Sequence, residues 1–510
     1  MNAPGRTRTS RRRQGKPTAP EGRRVNYKQL RNPFPPMDAV STDEAHAIHD
    51  TALRVLEELG MRVLLPEARA VYEAGGARID GDMVYIGRDM VEAALAAAPK
   101  SFPLKGATPD RDLVIELGSL TFQPGAGAPH ATCRVKGRRP GTSRDFRELV
   151  QITHHFDALH LVPTLVEAQD IPIHLRHYDM VKTALVHSDR AFFIYSRGTP
   201  QIQDAFEMMR LYRGLSQDEF EAAPYSYTII NTNSPRTLDI PMAQGIMDFA
   251  KAGQISIITP FTLMGAMAPI TPAGAVTLSH AEALAAITLG QLTRPGAPQM
   301  YGTFTSNVDM KSGAPAFGTP EHFRASLLAG QLARLIGLPW RCASGSAANI
   351  NDAQGANENQ LAMWGCLMAG ATTIVHAAGW LEGGLTVSYE KLICDMDVVN
   401  AVADLCTPTE ATEDAIGFDA IAEVAPQGHF FASAQTMARY TTEFYEPVNS
   451  DWSNFGTWED RGGQTAHERA TAKWQAILEE HGPPVDPDRL GALNDFILKR
   501  TKDGGAPPIS

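Results

Sequence analysis

The stretch 339–376 decides the fold class, because it has a strand–helix–strand pattern. Its three parts are Pro339-Trp-Arg-Cys-Ala343, the segment 358–369 and Thr372-Thr-Ile-Val-His376. The two outer runs are short and rich in apolar or β-branched side chains, which is typical of buried strands. The middle segment has the length and the spacing of an amphipathic helix. Because strands that alternate with helices usually pair in parallel, this unit predicts an α/β fold.

The same alternation extends over most of the chain from residue 117 onward. Strands are predicted at 119–122, 160–166, 191–195, 226–230, 255–259, 299–304, 339–343 and 372–376, and helices at 146–155, 203–212, 273–292, 321–336 and 358–369. Eight strands over roughly 290 residues predict a (β/α)8 TIM barrel. An open doubly wound sheet is the alternative, but Gln123-Pro-Gly-Ala-Gly-Ala lacks the GxGxxG spacing expected after its first strand.

Three segments flank the predicted barrel, which spans 117–405. Residues 1–27 are rich in arginine, with Glu21 as their one acid, and predict a disordered basic tail. Residues 28–116 predict an α+β cap, in which Ser41 and Glu44 have capping-box spacing and Gly60 ends a helix. Residues 406–510 predict a mainly helical addition that closes on the barrel, with a strand at 428–434, helices at 466–480 and 487–500, and a frayed end from 502.

The composition narrows the class of protein. A chain of 510 residues, 43% hydrophobic and 20% charged, predicts a globular protein, and its net charge of −11 disfavours nucleic-acid binding. The longest apolar stretch, 255–270, is interrupted by Pro260, Gly265 and Pro269, so we expect no membrane-spanning helix. Five widely spaced cysteines predict no disulfide framework. These features together predict a cytoplasmic protein.

Catalytic groups of a (β/α)8 barrel lie at the C-terminal ends of its strands, so the residues there are candidates. Amides, hydroxyls and aromatic rings dominate these positions, and acid–base pairs are few. This mixture suits the orientation of a polar or cationic small molecule. Other interpretations stay open: Asp352 as a helix cap, His376 as a core histidine and Trp380 as core packing. Glu390 and Lys391 are expected on a solvated helix face.

Several long motifs resemble those of the trimethylamine:corrinoid methyltransferase family. They are Ile48-His-Asp-Thr-Ala-Leu-Arg-Val-Leu-Glu-Glu-Leu-Gly60, Tyr72-Glu-Ala-Gly-Gly-Ala, Pro269-Ile-Thr-Pro-Ala-Gly-Ala-Val276, Asp352-Ala-Gln and the segment 370–391. The resemblance covers residues from about 27 to 500. It implies a (β/α)8 barrel that presents a small methylated amine to a separate corrinoid (cobalamin) protein. The cobalt of that partner accepts the methyl group, so no cofactor is bound tightly to this chain.

One stretch departs from the family pattern. Founding members carry pyrrolysine after strand seven, whereas this chain has Ser346-Ala-Ala-Asn349-Ile-Asn-Asp352 there, with Asn349 as the nearest match. An asparagine cannot form the adduct that pyrrolysine is thought to offer a tertiary amine. The resemblance therefore implies a quaternary amine, such as glycine betaine, as the substrate.

A quaternary ammonium already carries its charge and leaves as a neutral amine, so positioning and a cation site matter more than a proton donor. Catalytic roles are assigned to Asn349, His376 and Glu382. Substrate-binding roles are assigned to Trp380, Tyr301, Thr303, Gln123, Arg197, Asn231, Asp352 and Gln354. In this assignment Trp380, Tyr301 and Glu382 hold the ammonium. Asn349, His376 and Arg197 hold the carboxylate of a betaine.

Two other functions stay open. One is a barrel methyltransferase or demethylase that acts on another methylated amine, such as trimethylamine, or that uses a bound zinc, although we predict no metal site. The other is a non-catalytic barrel that binds methylamines. In all cases we expect a homo-oligomer.

Overall fold

A computed structural model describes residues 25–482 and 485–509. The chain divides into two compact units. The larger unit joins Asn26–Pro408 with Pro447–Ser510, and the smaller contains Thr409–Glu446. Most of the predicted basic tail, residues 1–24, lies outside the described residues. Tyr27, at the end of that predicted tail, is held in place, because its carbonyl oxygen lies 2.9 Å from the His160 Nε2 atom.

The larger unit is built on a curled nine-stranded sheet with eight parallel strands. These strands are β1 (Ser119–Phe122), β2 (Leu161–Val162), β3 (Ala191–Phe193), β4 (Ser226–Ile230), β5 (Ile255–Ile258), β6 (Gln299–Gly302), β7 (Trp340–Ala343) and β8 (Thr373–Val375). Their order in the sheet is β1-β8-β7-β6-β5-β4-β3-β2, and Leu30–Arg31 pairs antiparallel with β1. The His160 N–H, directly before β2, donates to the Phe122 oxygen at the end of β1 at 2.9 Å. All eight predicted strands are confirmed, although several are shorter than predicted.

One long helix follows each parallel strand. The helices are α1 (Ser143–His155), α2 (Arg176–His187), α3 (Thr199–Arg213), α4 (Ile240–Lys251), α5 (Pro272–Thr293), α6 (Pro320–Ile336), α7 (Ala353–Met368) and α8 (Tyr389–Leu405). A shorter helix, Gln217–Ala222, follows α3. Among the described residues, no helix is long and apolar enough to cross a bilayer.

The N-terminal segment packs against helix α5. Its helices are Thr42–Arg54, Pro66–Ala74 and Arg88–Ala97, and its strands Met61–Val63, Arg78–Asp80 and Met83–Tyr85 form a small sheet with Thr237–Leu238. The predicted capping box is confirmed, since the Glu44 N–H donates to the Ser41 hydroxyl and the Ser41 N–H to the Glu44 carboxylate. All three helices contact α5, and the Tyr72 hydroxyl donates to the Ala285 oxygen at 2.8 Å. The segment that we predicted as a cap therefore covers α5, which explains why α5 is buried almost all round.

A two-stranded hairpin closes the N-terminal end of the parallel strands. It is formed by Ser101–Leu104 and Leu113–Glu116. Its four inward apolar side chains share one buried cluster with residues from the inner face of β2 to β6. The members of this cluster are Phe102, Leu104, Leu113, Ile115, Leu161, Ala191, Tyr227, Ile255, Ile257 and Met300. Because this cluster fills the N-terminal end, a ligand can reach the inside of the sheet only from the other end.

A buried ion pair connects α8 to the loops after β7 and β8. The Lys391 ammonium donates to Asp395 at 2.9 Å and to the Gly355 oxygen at 3.0 Å, and Asp395 accepts the Gly379 N–H at 2.9 Å. The expectation that Glu390 and Lys391 are solvated is wrong, because both side chains are fully buried. Glu390 accepts hydrogen bonds from Thr471 and Trp474, which the sequence spacing of α8 does not reveal.

The C-terminal part of the chain belongs to both units. The smaller unit contains short helices at Glu413–Ile416, Phe418–Ala422 and Ala434–Arg439, and the predicted strand at 428–434 is wrong, since Phe430–Ala432 forms a 3-10 turn. In the larger unit, Ala466–Glu480 has its predicted bounds, and it contacts α8 and α1. Leu490–Lys502 contacts α3, and Phe455–Asp460 is a short helix.

The end of the chain is also ordered, contrary to the frayed end that we expected. The Ala506 N–H donates to the His174 oxygen at 3.0 Å, and the Ile509 N–H donates to the Arg197 oxygen at 3.0 Å. The terminal residues therefore fasten the loop after β3 that carries Arg197.

The Lys391–Asp395 pair leads to a prediction about stability. Replacing Lys391 with Met leaves an uncompensated buried carboxylate, so we expect the free energy of unfolding to fall by about 3–5 kcal/mol. Urea denaturation followed by circular dichroism measures this change. Lys311→Met, at an exposed position, is the matched control and should change stability by less than about 0.5 kcal/mol. Equal stability of the two variants would contradict the prediction.

Candidate functional site

A cavity of about 480 Å³ opens at the C-terminal ends of the parallel strands. Its lining comes from the residues that follow or end most of the eight strands. It includes Gln123, Pro163, Thr164, Phe193, Tyr195, Arg197, Asn231, Phe261, Phe304, Arg341, His376, Trp380 and Leu385. In the part of the chain that the structure describes, no aspartate or glutamate lines this cavity. It is the place where catalytic groups of parallel α/β folds usually converge.

Stacked aromatic rings form one wall of the cavity. The Trp380 indole stacks on the His376 imidazole with ring centroids 4.2 Å apart, and Phe304 lies 5.8 Å from Trp380. Gly345 and Gly384, both with positive φ, pack so closely against the indole that a Cβ atom has no room at either position. The indole is therefore held in one orientation, with His376 covering one of its faces, and it contributes to an aromatic wall of the kind that attracts cations.

A buried arginine lies at the inner end of the cavity. Arg341 is on β7, and its side chain is 2% exposed. It donates one hydrogen bond, to the Thr303 carbonyl oxygen at 3.2 Å, and its guanidinium carbon is 5.5 Å from the Phe304 ring centre. Burial lowers the pKa of Arg341 to about 10. The guanidinium therefore keeps its positive charge at neutral pH.

Gln123 lies beside this arginine among the lining residues. Its carbonyl oxygen accepts a hydrogen bond from the Tyr227 hydroxyl at 2.7 Å. This bond fixes the orientation of the amide, so its NH₂ group is the end left free for a ligand. The inner end of the cavity is consequently rich in hydrogen-bond donors.

His376 is a neutral imidazole in this environment. Burial, and secondarily the charge of Arg341, place the pKa of His376 well below its ordinary value. Its Nδ1 atom accepts the Ala126 N–H at 3.3 Å, which assigns the remaining ring proton to Nε2. The backbone of His376 has a φ of 57°, an uncommon conformation for a residue with a side chain. His376 is thus a hydrogen-bond donor, and it does not serve as a cationic acid near neutral pH.

A second arginine lines the cavity but has an acidic partner. Arg197 donates to Glu167 at 2.6 Å and stacks over the Tyr195 ring at 3.9 Å. Burial is the largest single effect on Glu167 and opposes its ionisation, but the charge and hydrogen bond of Arg197, the Tyr195 hydrogen bond and the charge of Arg176 together hold the pKa of Glu167 below its ordinary value. Glu167 is shared with Arg176, whose guanidinium donates at 3.1 Å. The Glu167 carboxylate therefore balances part of the positive charge of Arg197.

The structure brings five of the predicted site residues into the cavity. These are Gln123, Arg197, Asn231, His376 and Trp380. Glu382 lies next to the lining residue Gly383, and its carboxylate is bound by Arg138 through two contacts of 2.9 Å. Burial is the largest single effect and would raise the pKa of Glu382, but the hydrogen bonds from Arg138 and Thr386 and the charge of Arg138 together lower it.

The other predicted site residues lie outside the cavity lining. The Tyr301 side chain points away from it, because its hydroxyl pairs with His280 of α5 at 3.0 Å. Thr303 is buried and does not line the cavity. Its hydroxyl accepts the Trp340 indole N–H, and its carbonyl oxygen accepts a hydrogen bond from Arg341, which does line the cavity. Neighbouring residues of a strand point to opposite faces, and this alternation separates Tyr301 from the inner face.

The loop after β7 has a structural arrangement of its own. Asp352 caps α7 by accepting the Gln354 and Gly355 N–H groups, and the Gln354 side chain donates to Glu358 at 2.8 Å. Glu358 in turn accepts the Ser346 hydroxyl at 2.6 Å. Asn349, in the same loop, is exposed to solvent and does not line the cavity.

Arg341 and Phe304 are the lining residues that the sequence analysis missed most clearly. Phe304 is the last residue of the predicted strand 299–304, but Tyr301 and Thr303 were chosen as its site residues, and Arg341 lies inside the predicted strand 339–343. The alternation of Trp340, Arg341 and Cys342 could have indicated that a charged side chain faces inward from an otherwise apolar strand. Among the described residues, no group of three or more His, Cys, Asp or Glu side chains converges as a metal site.

Comparison with known proteins gives matches along nearly the whole chain. The family model described as trimethylamine methyltransferase (MTTB) matches residues 5–505. Glycine betaine methyltransferase of Desulfitobacterium hafniense strain Y51 is 32% identical over 475 residues, which cover 92% of this chain and 99% of that protein. Trimethylamine methyltransferase MttB of D. hafniense strain DSM 10664 / DCB-2 is 28% identical over 469 residues, covering 91% and 94%. The solved monomethylamine methyltransferase (MtmB) of Methanosarcina barkeri covers 85% of this chain and 92% of its own, with 11% identity and a TM-score of 0.46.

The neutral state of His376 can be tested by NMR. With ¹⁵N-labelled histidine, we expect the His376 signals to stay those of a neutral imidazole from pH 8 down to pH 5.5, because burial lowers its pKa. The His376→Gln variant identifies the signals. An inflection near pH 6.5 in the His376 signals would contradict the prediction.

Proposed function

Because the chain belongs to the trimethylamine methyltransferase (MTTB) family, we propose that it moves a methyl group from a quaternary amine to the cobalt(I) of a separate corrinoid protein. It is a methyltransferase enzyme of that family. The relative at 32% identity bears the name glycine betaine methyltransferase, which supports a betaine as the methyl donor. The partner proteins in this proposal are the corrinoid protein and further copies of this chain.

The proposal includes a complete (β/α)8 barrel. Eight parallel strands, each followed by a long helix, support this architecture. The hydrogen bond between His160 and Phe122 connects β2 with β1, which are the first and last parallel strands of the sheet order. A parallel bridge between Ala128 and Val166 continues this contact beyond the strand ends. The curled sheet would then enclose the cavity on all sides.

The observation that carries the proposed function is the aromatic cavity at the strand ends. Trp380, Phe304 and Tyr195 present aromatic surface, and no acidic side chain of the described residues lines the same space. An aromatic surface attracts a quaternary ammonium without the hydrogen bonds that a protonated amine would need. This arrangement favours an ammonium that carries four carbon substituents.

Methyl transfer from such an ammonium needs little proton chemistry. The bond between nitrogen and one methyl carbon breaks, its electron pair stays on nitrogen, and the amine leaves without a charge. The corrinoid supplies the nucleophile that forms the new bond to the methyl carbon. The side chains of this chain bind the donor, direct one methyl group toward the cavity opening and exclude water. Neutral His376 is consistent with this chemistry, because no acid is required.

The state of the cysteines and the position of the cavity opening agree with the proposed compartment and the proposed corrinoid partner. All five cysteines are free thiols, which supports a reducing compartment such as the cytoplasm. The cavity opens beside Leu385 and Gly384, where the partner that carries the corrinoid would have to approach. We assign binding of the ammonium to Trp380 and Phe304, while Gln123, His376, Arg197 and Asn231 line the remaining space around the donor.

An anaerobic assay tests the proposed function. Glycine betaine labelled with ¹³C in its methyl groups is mixed with the enzyme and reduced cobalamin, and the methylated cobalamin and N,N-dimethylglycine are measured. We expect the two products in equal amounts. Trimethylamine as the only donor should give no methylated cobalamin, and the reverse preference would contradict the proposal.

The Trp380→Ala variant tests the aromatic wall in the same assay. Loss of a cation–π surface should lower kcat/KM by at least about tenfold, or roughly 1.4 kcal/mol. Trp458→Ala is the matched control. Trp458 lies on the short helix Phe455–Asp460, outside the cavity lining, and its indole N–H donates to the Gln464 oxygen. Equal kcat/KM values for both variants would remove Trp380 from the site.

A further inference from the structure

The Arg341 guanidinium is a buried positive charge without an acidic partner. No Asp or Glu side chain forms an ion pair with it among residues 25–482 and 485–509, and its described hydrogen bond goes to a neutral carbonyl oxygen. A buried charge is costly unless it is paired, so a protein keeps one where a ligand supplies the opposite charge. Arg341 lines the cavity, so that ligand would be bound there.

The cavity lining contains unused hydrogen-bond donors, one of them on Arg341 itself. The Gln123 Nε2, Arg341 Nε and Trp380 Nε1 atoms are all buried and lack an acceptor among the residues that the structure describes. All three side chains are at least 97% buried and line the same cavity. Buried N–H groups are rarely left without an acceptor. Three such donors in one cavity therefore fit a ligand group that accepts several hydrogen bonds.

We propose that Arg341, with Gln123 and Trp380, binds the carboxylate of the methyl donor and thereby selects zwitterionic betaines over donors that carry only a positive charge. A carboxylate has two oxygens with about four lone-pair positions, which matches a guanidinium and two N–H donors. This inference rests on the proposed function, since it assigns the second end of the quaternary amine.

The same charge acts against other ligands. Arg341 repels a simple cation, such as choline or tetramethylammonium, and this repulsion is strong because the site is buried. A betaine places its carboxylate between the guanidinium and its own ammonium, so the repulsion is compensated. The cavity would thus discriminate through repulsion as well as attraction.

Arg197 is the competing candidate for the carboxylate. Its guanidinium lines the same cavity, but it is held by Glu167 at 2.6 Å. A ligand carboxylate at Arg197 would have to share that arginine with an existing carboxylate. Arg341 has no such competitor, which favours it as the anchoring residue.

Isothermal titration calorimetry on the full chain, without a corrinoid protein, tests the inference. The three probes are glycine betaine, choline and 3,3-dimethylbutanoate, which keeps the carboxylate but replaces the charged nitrogen by carbon. For the wild-type protein we expect betaine to bind at least about 30-fold more tightly than choline. We expect 3,3-dimethylbutanoate to bind measurably, because it reaches Arg341. Equal binding of betaine and choline, or no binding of betaine, would overturn the inference.

Variants at the two arginines identify the responsible residue. Arg341→Gln should weaken betaine binding by about 30-fold, abolish 3,3-dimethylbutanoate binding and leave choline binding equal or stronger. Arg341→Lys, which keeps a charge but loses the two-pronged geometry, should give an intermediate loss. Arg197→Gln should weaken betaine binding less than Arg341→Gln does. If Arg197→Gln alone removes the preference for betaine, or if Arg341→Gln weakens choline and betaine equally, the inference is wrong.

The wild-type comparison requires no variant to fold, so it can overturn the inference even if Arg341→Gln is unstable, and Arg197→Gln then still tests the competing arginine. It also separates this inference from the proposed function. Preference for betaine in calorimetry without methyl transfer to cobalamin would contradict the proposed function alone. Methyl transfer without any preference between betaine and choline would contradict this inference alone.

Discussion

The ion pair between Lys391 and Asp395 organises the end of the structure where the cavity lies. Lys391 holds the Gly355 carbonyl oxygen at the start of α7, and Asp395 holds the Gly379 N–H directly before Trp380. One pair of side chains in α8 thereby fixes the chain after two neighbouring strands. A buried ion pair adds little net stability compared with apolar packing, so its main effect here is to specify one arrangement of these loops.

The cavity follows from that arrangement and from the closed N-terminal end. Apolar side chains fill the inner face of the sheet below the cavity, and the hairpin of Ser101–Leu104 and Leu113–Glu116 seals them. The fixed loops carry the stacked rings of His376 and Trp380, which line the same cavity as Arg341. A small ligand therefore meets aromatic surface and a buried positive charge in the same space. Few small molecules match both features, and a quaternary amine with a carboxylate is one that does.

The sequence predicted the parallel strands well because burial on both faces leaves short apolar runs that local patterns reveal. It predicted the cavity less well, since a site also depends on which face of a strand a side chain occupies. Tyr301 and Arg341 illustrate this: both lie on predicted strands, but Tyr301 contacts α5 and Arg341 faces inward. Burial of Lys391 was also hidden, because an acidic residue four positions further on, Asp395, is equally typical of a solvated helix face, and the contact with the Gly355 oxygen is recognisable only in three dimensions.

The central claim is that one cavity holds both ends of a quaternary amine that carries a carboxylate. A crystal structure of the protein with glycine betaine tests it most directly. The account predicts the carboxylate within about 3 Å of the Arg341 guanidinium and the trimethylammonium group within about 6 Å of the Trp380 and Phe304 ring centres, with one methyl group facing the opening. Betaine bound outside this cavity, or with its carboxylate on Arg197 and its ammonium beside Arg341, would contradict the account.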